Sequence, residues 1–265
     1  MAGEIFARSG WWSVMLAHSL HGEFGDSAVV MLHSLALDRS VWDGVINQLD
    51  GVPCVAVDLR GHGESRGSGQ TTIEEMGLDV VELIEYLGLA SVVVVGLSLG
   101  GCVAQVVAAS RPDLVAHLVL ADTTAWYGPD AVEAWAQRAG KAQADGLSSL
   151  SAFQLDRWFG DEFLEEHPAI GEALLDIFRA NDIDEYVATC SAMGKFDFRP
   201  RLGDIDCPTT VLVGELDPAT PIEDAEALVA GIPTAELRVL RGARHLTAIE
   251  RPNEFADVIR AARVW

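Results

Sequence analysis

The stretch Ser91-Val92-Val93-Val94-Val95-Gly96-Leu97-Ser98-Leu99-Gly100-Gly101 places a Gly-x-Ser-x-Gly turn between an apolar run and a segment that contains good helix formers. We therefore predict a strand, a sharp turn and a helix, in that order. Such a turn strains the backbone of its central residue, so the neighbours must be small, and Gly96 and Gly100 supply that space. Ser98 is then expected to project its hydroxyl above the carboxyl end of a sheet. The alternative is an ordinary glycine-containing turn, because a bare Gly-x-Ser-x-Gly match is common by chance.

Short apolar runs alternate with helical patterns on both sides of this stretch. One helix is opened by Thr72, with Glu75 three positions later as in a capping box. Because the runs are almost entirely apolar, they predict an α/β fold with a mostly parallel sheet, helices on both faces and strand ends that meet at one edge. The further predicted strands lie at Ala28 to Leu32, Cys54 to Asp58, Val115 to Ala121, Thr209 to Gly214 and Glu236 to Leu240.

Two segments fall outside this alternation. Near the N-terminus, stretches around Glu4 to Ala7 and Ser13 to Leu20 are expected to pair as a hairpin ahead of the main sheet. Between about Thr124 and Pro200 the composition turns helical, and aromatic residues are interspersed among charges. We predict that residues 124–200 form a helical lid inserted into a core made of residues 1–123 and 201–265.

The composition excludes several classes of function. The formal charge of −22, from 40 acidic and 18 basic residues, argues against a nucleic-acid partner. The longest apolar runs are strand-sized, below the roughly 18 residues of a membrane span. The N-terminus lacks a cationic region followed by an apolar segment, so we expect a cytoplasmic protein without a membrane partner. The four cysteines are scattered without C-x-x-C spacing, which predicts neither disulfides nor a metal site.

The candidate chemistry is nucleophilic catalysis by serine. A serine hydroxyl is a weak nucleophile near pH 7, so it needs a base to take its proton and a third group to orient that base. In sheets of this type the order along the chain is Ser, then Asp or Glu, then His. Ser98, Asp217 and His245 satisfy this order, and each follows a predicted strand. We predict that they form a catalytic triad, with Asp122 as a rival acid because it also ends a strand.

The tetrahedral intermediate of acyl transfer needs hydrogen-bond donors aimed at its oxygen. One is expected to be the backbone N–H of Leu99, the residue after the nucleophile. The second comes from the loop after an early strand, where Leu35 is the candidate. Each such donor typically contributes ~3 to 4 kcal/mol of transition-state stabilisation, so this loop is predicted to matter as much as the acid of the triad.

One set of motifs extends over essentially the whole chain: His33-Ser34-Leu35, Asp58-Leu59-Arg60-Gly61-His62-Gly63-Glu64-Ser65, the turn at Ser98, Gly214-Glu215-Leu216-Asp217, and His245 with Glu250-Arg251-Pro252. These motifs resemble those of the α/β-hydrolases.

A second set distinguishes a subfamily: Ser34-Leu35, Trp42, Trp135-Ala136-Gln137-Arg138, Asp156-Arg157-Trp158-Phe159 and Asp217-Pro218-Ala219-Thr220-Pro221. In these features the sequence is most similar to the 3-oxoadipate enol-lactonases. Ala36 departs from the pattern of that subfamily, which commonly has Gly at this place.

The resemblance implies a serine hydrolase that opens a small enol-lactone bearing a carboxylate, without a cofactor. That carboxylate needs a cation inside a strongly acidic protein. Arg138, one helical turn from Trp135 on the lid, is the candidate, and both residues are expected to bind substrate. The alternative for Arg138 is a solvated charge on the lid.

Other functions stay open at this point. A broader carboxylesterase or lactonase needs the same triad and differs only in the lid. A ligand receptor that has kept the fold is disfavoured by an intact triad. Haloalkane dehalogenases and epoxide hydrolases are also disfavoured, because they need a carboxylate where this chain has Ser98.

Overall fold

The central sheet has seven strands within residues 15–67 and 69–262, the part of the chain that the computed structural model describes. The strands are β1 (His18–His21), β2 (Ser27–Leu32), β3 (Cys54–Val57), β4 (Ser91–Leu97), β5 (Val115–Ala121), β6 (Thr209–Gly214) and β7 (Ala235–Leu240). Their spatial order is β1-β3-β2-β4-β5-β6-β7, with β1 antiparallel to β3 and all other neighbours parallel. The prediction of a mostly parallel sheet is confirmed.

Strand β4 is central in this sheet and is covered on both faces. Successive side chains of a strand point to opposite faces, and Val92 to Val95 are all fully buried. Outside the insertion, the α-helices are α1 (Asp43–Ile46), α2 (Ile73–Tyr86), α3 (Leu99–Ser110), α9 (Ile222–Gly231), α10 (Thr247–Glu250) and α11 (Pro252–Ala261). Of these, α3 packs against β4 and β5, and α9 packs against β6 and β7.

Helix α2 begins as its sequence predicts. The Thr72 hydroxyl accepts a hydrogen bond from the Glu75 N–H at 3.1 Å, and the Glu75 carboxylate accepts one from the Thr72 N–H at 2.9 Å. These two bonds satisfy donors that have no partner within the helix. The predicted capping box is therefore confirmed.

One arm of the expected N-terminal hairpin pairs with the main sheet. Residues His18 to His21 pair antiparallel with β3, from His18 opposite Val57 to His21 opposite Cys54. The other expected arm, Glu4 to Ala7, lies outside the described residues. Among the described residues, strand β1 thus extends the main sheet beside β3, and the pairing of the two expected arms stays a prediction.

A helical insertion separates β5 from β6. Its helices are α4 (Ala131–Asp145), α5 (Ser151–Trp158), α6 (Asp161–Glu166), α7 (Pro168–Ala180) and α8 (Ile183–Lys195). Helix α4 packs along α8, and a short antiparallel bridge between Trp126 and Asp197 joins the two ends of the segment. Edge-to-face contacts from Trp158 to Phe178 and from Phe178 to Tyr186 connect α5, α7 and α8. The insertion falls within the predicted range 124–200, and its function as a lid stays a prediction.

Within residues 15–67 and 69–262, no helix is both long enough and apolar enough to cross a membrane.

Candidate active site

Ser98 stands at the sharp turn between β4 and α3. Its backbone has φ 55° and ψ −113°, a strained conformation for a residue with a side chain. A Cβ atom on Gly96 would overlap the carbonyl oxygen of Gly100, and one on Gly100 would overlap that of Leu32. The prediction that both positions must be small is therefore confirmed.

The structure brings the three predicted catalytic residues together at one sheet edge. Nε2 of His245 lies 3.0 Å from the Ser98 hydroxyl oxygen, and Nδ1 of His245 lies 2.8 Å from Oδ2 of Asp217. A carboxylate can only accept there, so Nδ1 carries the proton and Nε2 is free to accept from Ser98. All three residues are about 5% exposed. The arrangement can deprotonate the serine inside a largely dry site.

Asp217 is held as a carboxylate by its surroundings. Burial alone would raise its pKa, but the charge and hydrogen bond of His245 hold the pKa below its ordinary value. The N–H groups of Ala219 and Thr220 donate to Oδ1 at 2.7 and 3.1 Å, and the Thr220 hydroxyl donates to Oδ2 at 2.8 Å. These donors come from the turn that follows Asp217. The local chain therefore orients the carboxylate and also stabilises its ionised form.

Asp122, the rival acid, makes different contacts. It is fully buried at the end of β5 and accepts hydrogen bonds from Gly214 and Thr247. Burial and the nearby Asp217 raise its pKa well above the ordinary value, opposed by the Thr247 and Gly214 donors. Since Asp217 and not Asp122 holds Nδ1 of His245, the geometry favours Asp217 as the acid.

The two predicted oxyanion donors are Leu99, which follows Ser98 directly, and Leu35, which lies in the loop after β2. Leu99 is the first residue of α3, where an N–H has no partner within the helix. Leu35 lines the same space as Ser98 and His245. Its neighbour Ala36, the departure from the subfamily pattern, has φ 57°, a left-handed conformation that favours glycine.

His33 fixes the loop that carries Leu35. Its Nδ1–H donates to the Ser34 carbonyl at 2.7 Å, and its Nε2 accepts from the Leu59 N–H at 2.9 Å. Its own carbonyl accepts from Gly100 at 3.0 Å, which joins the loop to α3. Burial lowers the pKa of His33 to about 4, so the imidazole is neutral at pH 7 and can serve as both donor and acceptor.

The space beside Ser98 is small and lies under the insertion. Its volume is about 30 Å³, far below the roughly 300 Å³ from which ligand pockets usually begin. Side chains must therefore move when a substrate enters. Besides the residues already described, the lining includes Tyr127, Trp135, Arg138, Gln154, Arg157, Trp158 and Met193.

Arg138 and Trp135 both face this space. The Arg138 Nε–H donates to the Tyr186 hydroxyl at 2.7 Å, and Nη2 donates to Oε1 of Gln154 at 3.0 Å. The guanidinium carbon also lies 4.9 Å from the centre of the Trp135 ring. These contacts disfavour a solvated lid charge for the half-buried Arg138, and its binding of substrate stays a prediction.

Sequence reasoning assigned no role to Arg157, which lines the same space from α5. The sequence feature that could have indicated a role for Arg157 is its position beside Trp158, in a lid segment that resembles the enol-lactonases. Which face of α5 turns inward depends on the packing of Trp158 against Phe178, and the local sequence does not specify that packing.

A larger groove lies elsewhere, against residues 58–67 and helices α7 and α8. It has a volume of about 950 Å³ and does not include Ser98. Its lining contains six carboxylates and two guanidinium groups, those of Arg39 and Arg66, and Arg39 is already paired with Asp58 and Glu64. This excess of negative charge does not suit an anionic substrate. In the described part of the chain, no group of three His, Cys, Asp or Glu residues could hold a metal ion.

The turn at Ser98, the sheet and the order of Ser98, Asp217 and His245 are those of an α/β hydrolase, and the chain belongs to the alpha/beta hydrolase family, which it matches over residues 29–258. The particular relatives act on lactones and esters. The chain is 30% identical to 3-oxoadipate enol-lactonase 2 of Acinetobacter baylyi, over 94% of this chain and 92% of that protein. The resemblance to the enol-lactonases is thereby confirmed.

Solved structures agree with this relationship. The enol-lactonase from Burkholderia xenovorans superposes with a TM-score of 0.88 at 30% identity, covering 93% of this chain and 95% of that one. A thermophilic esterase from Thermogutta terrifontis reaches 0.86 at 31% identity, covering 93% and 92%. Hydrolysis of an ester or lactone is thus supported by relatives of both kinds.

Proposed function

We propose that this protein is a serine hydrolase that converts 3-oxoadipate enol-lactone to 3-oxoadipate through an acyl-enzyme. The observation that carries the proposal is the continuous hydrogen-bond chain from Ser98 through His245 to Asp217, at 3.0 and 2.8 Å. The enol-lactonase relatives, at 30% identity over nearly the whole chain, support the choice of substrate.

In the first half of the reaction, Oγ of Ser98 attacks the lactone carbonyl while Nε2 of His245 takes the hydroxyl proton. The N–H groups of Leu35 and Leu99 stabilise the oxyanion. Collapse of the intermediate breaks the C–O bond to the ring oxygen, and His245 returns the proton to this leaving group. The enol so released tautomerises to a ketone, which makes the ring opening difficult to reverse.

In the second half, water attacks the acyl-enzyme with His245 as the general base. The intermediate collapses, Ser98 regains its proton, and the product leaves as a carboxylate. All proton transfers use side chains and water, so the proposed reaction needs no cofactor. Trp135 and Arg138, which face the space beside Ser98, are proposed to bind the substrate from the lid.

A broader carboxylesterase is the second candidate. It is favoured by the 31% identity to the Thermogutta terrifontis esterase, which is similar to the identity with the enol-lactonases. A non-catalytic receptor is disfavoured, because it has no use for a strained, buried serine that is hydrogen-bonded to a histidine.

The proposal is tested by assaying the purified protein with 3-oxoadipate enol-lactone and with 4-nitrophenyl acetate, alongside S98A. We expect a kcat/KM for the lactone well above that for the aryl ester, and a loss of at least about 10³-fold in kcat for both in S98A. Turnover of the aryl ester without turnover of the lactone favours the carboxylesterase. Activity that survives in S98A means that the nucleophile is another residue.

A further inference from the structure

Arg157 is a half-buried cation without a hydrogen-bonded partner in the described part of the chain. It lines the space beside Ser98 and His245 from helix α5. Its guanidinium packs over the Phe153 ring, with the carbon 5.1 Å from the ring centre. Several other arginines pair with carboxylates, as Arg60 does with Asp79 and Arg199 with Asp197. The five N–H donors of Arg157 are therefore available to a ligand.

The electrostatic surroundings of Arg157 favour the binding of an anion. Burial lowers its pKa, and the positive charge of Arg138 lowers it further. Asp217 opposes this effect, but its carboxylate is already hydrogen-bonded to His245 and Thr220. Two neighbouring guanidinium groups are thus gathered at one small site in a protein of net charge −22. A bound carboxylate offsets their mutual repulsion and their loss of water.

The two arginines differ in their freedom to move. Arg138 is fixed by hydrogen bonds to Tyr186 and Gln154. Arg157 breaks no such bond when it turns. Because the space of about 30 Å³ cannot hold a lactone, lining side chains must rearrange on binding. Arg157 can both make room and follow the ligand.

We propose that Arg157 is the principal anchor of the substrate carboxylate, with Arg138 as a fixed second cation beside it. The pocket then selects esters and lactones that bear a free carboxylate. This inference rests on the proposed function and changes the sequence-based assignment, in which Arg138 alone was the anchor. Two parallel N–H···O bonds from a guanidinium match the geometry of a carboxylate.

The test compares two esters that differ only at the end remote from the reaction. 4-Nitrophenyl monoglutarate carries a carboxylate where 4-nitrophenyl pentanoate carries a methyl group. We measure kcat and KM for both esters with the wild type, R157Q and R157K. The matched control is R179Q, which removes an equal charge from α7 of the insertion outside the Ser98 site.

We expect the wild type to prefer the anionic ester. R157Q should lower the ratio of kcat/KM for monoglutarate to that for pentanoate by about 30-fold or more, mainly through KM. R157K should lose less, because it keeps the charge and loses the paired geometry. R179Q should keep the wild-type ratio. A wild type without preference for the anionic ester, or an R157Q ratio equal to the wild-type ratio, overturns the proposal.

A binding experiment decides the inference even where no ester is turned over. Pentanoate and its neutral counterpart pentanamide are titrated into the wild type and R157Q, with tryptophan fluorescence as the signal because Trp135 and Trp158 line the site. We expect tighter binding of pentanoate by the wild type and loss of that difference in R157Q. Equal binding of both ligands by the wild type overturns the inference. If the wild type binds pentanoate selectively but turns over none of the esters, only the proposed reaction is overturned.

Discussion

Asp122 binds Thr247 through both of that residue's donors: its Oδ2 accepts from the Thr247 N–H at 3.0 Å and from the Thr247 hydroxyl at 2.7 Å. Its Oδ1 accepts from the Gly214 N–H at 3.0 Å. Gly214 ends the strand that leads to Asp217, and Thr247 follows His245 by two residues. One buried carboxylate therefore connects the segments that carry the acid and the base of the proposed triad.

The first prediction concerns D122N. An amide keeps one oxygen but turns an NH2 group towards donors, which leaves at least one buried N–H unpaired. We expect a loss of about 1–3 kcal/mol in the free energy of unfolding. We also expect a fall of about tenfold or more in kcat/KM, because Asp217 and His245 lose their common support. Urea unfolding and steady-state kinetics measure the two effects.

D130N is the control for this prediction, since Asp130 is exposed and its side chain makes no capping hydrogen bond at the start of α4. It should match the wild type in stability and in rate. A D122N protein with wild-type stability and kinetics contradicts the role assigned to Asp122.

Ser98 and Asp122 differ in how well their roles can be predicted from the sequence. The turn at Ser98 was predictable because an apolar run, two glycines and a helical segment lie within a few consecutive residues. The contacts of Asp122 lie 92 and 125 residues away, so they depend on how β5, β6 and the His245 loop assemble. The same limit applied to Arg157, since the inward face of α5 is set by tertiary packing.

The second prediction concerns the space at the turn. G100A places a methyl group on the Leu32 carbonyl oxygen, and backbone on both sides prevents relaxation. We expect a loss of more than about 3 kcal/mol in the free energy of unfolding, or no folded protein. G140A is the control, because no atom lies within 4 Å of the added carbon in helix α4. It should gain about 0.5–1 kcal/mol. Equal stability of G100A and the wild type contradicts the crowding at the turn.

The third prediction concerns the pH dependence of stability through His33. The pKa of His33 is lowered by burial from 6.5 to about 4, so the unfolded chain takes up a proton at higher pH than the folded protein does. The contribution of neutral His33 is thus fully present above pH 6.5 and is lost as the pH falls towards 4. Its full size is on the order of 3 kcal/mol. Protonation of Nε2 also removes the acceptor for the Leu59 N–H.

H33Q isolates this contribution, because glutamine can accept from Leu59 and does not titrate. We expect the stability advantage of the wild type over H33Q to shrink by about 2–3 kcal/mol between pH 7 and pH 4 in urea unfolding experiments. H167Q removes an exposed histidine of the insertion and serves as the control. A difference between the wild type and H33Q that is constant with pH rules out His33 as the titrating group.

The fourth prediction concerns the support of Arg138 by Tyr186. Y186F deletes the hydroxyl that accepts from the Arg138 Nε–H at 2.7 Å but keeps the ring that packs edge-to-face on Phe178. We expect a loss of about 1 kcal/mol in the free energy of unfolding. For 3-oxoadipate enol-lactone, KM should rise by about three- to tenfold, more than kcat changes, because a less fixed cation weakens ground-state binding. Y86F, at an exposed tyrosine of α2, is the matched control and should leave both constants unchanged. A Y186F protein whose kcat falls while its KM stays constant means that the hydroxyl acts on the reacting atoms, contrary to its assignment as a support for Arg138.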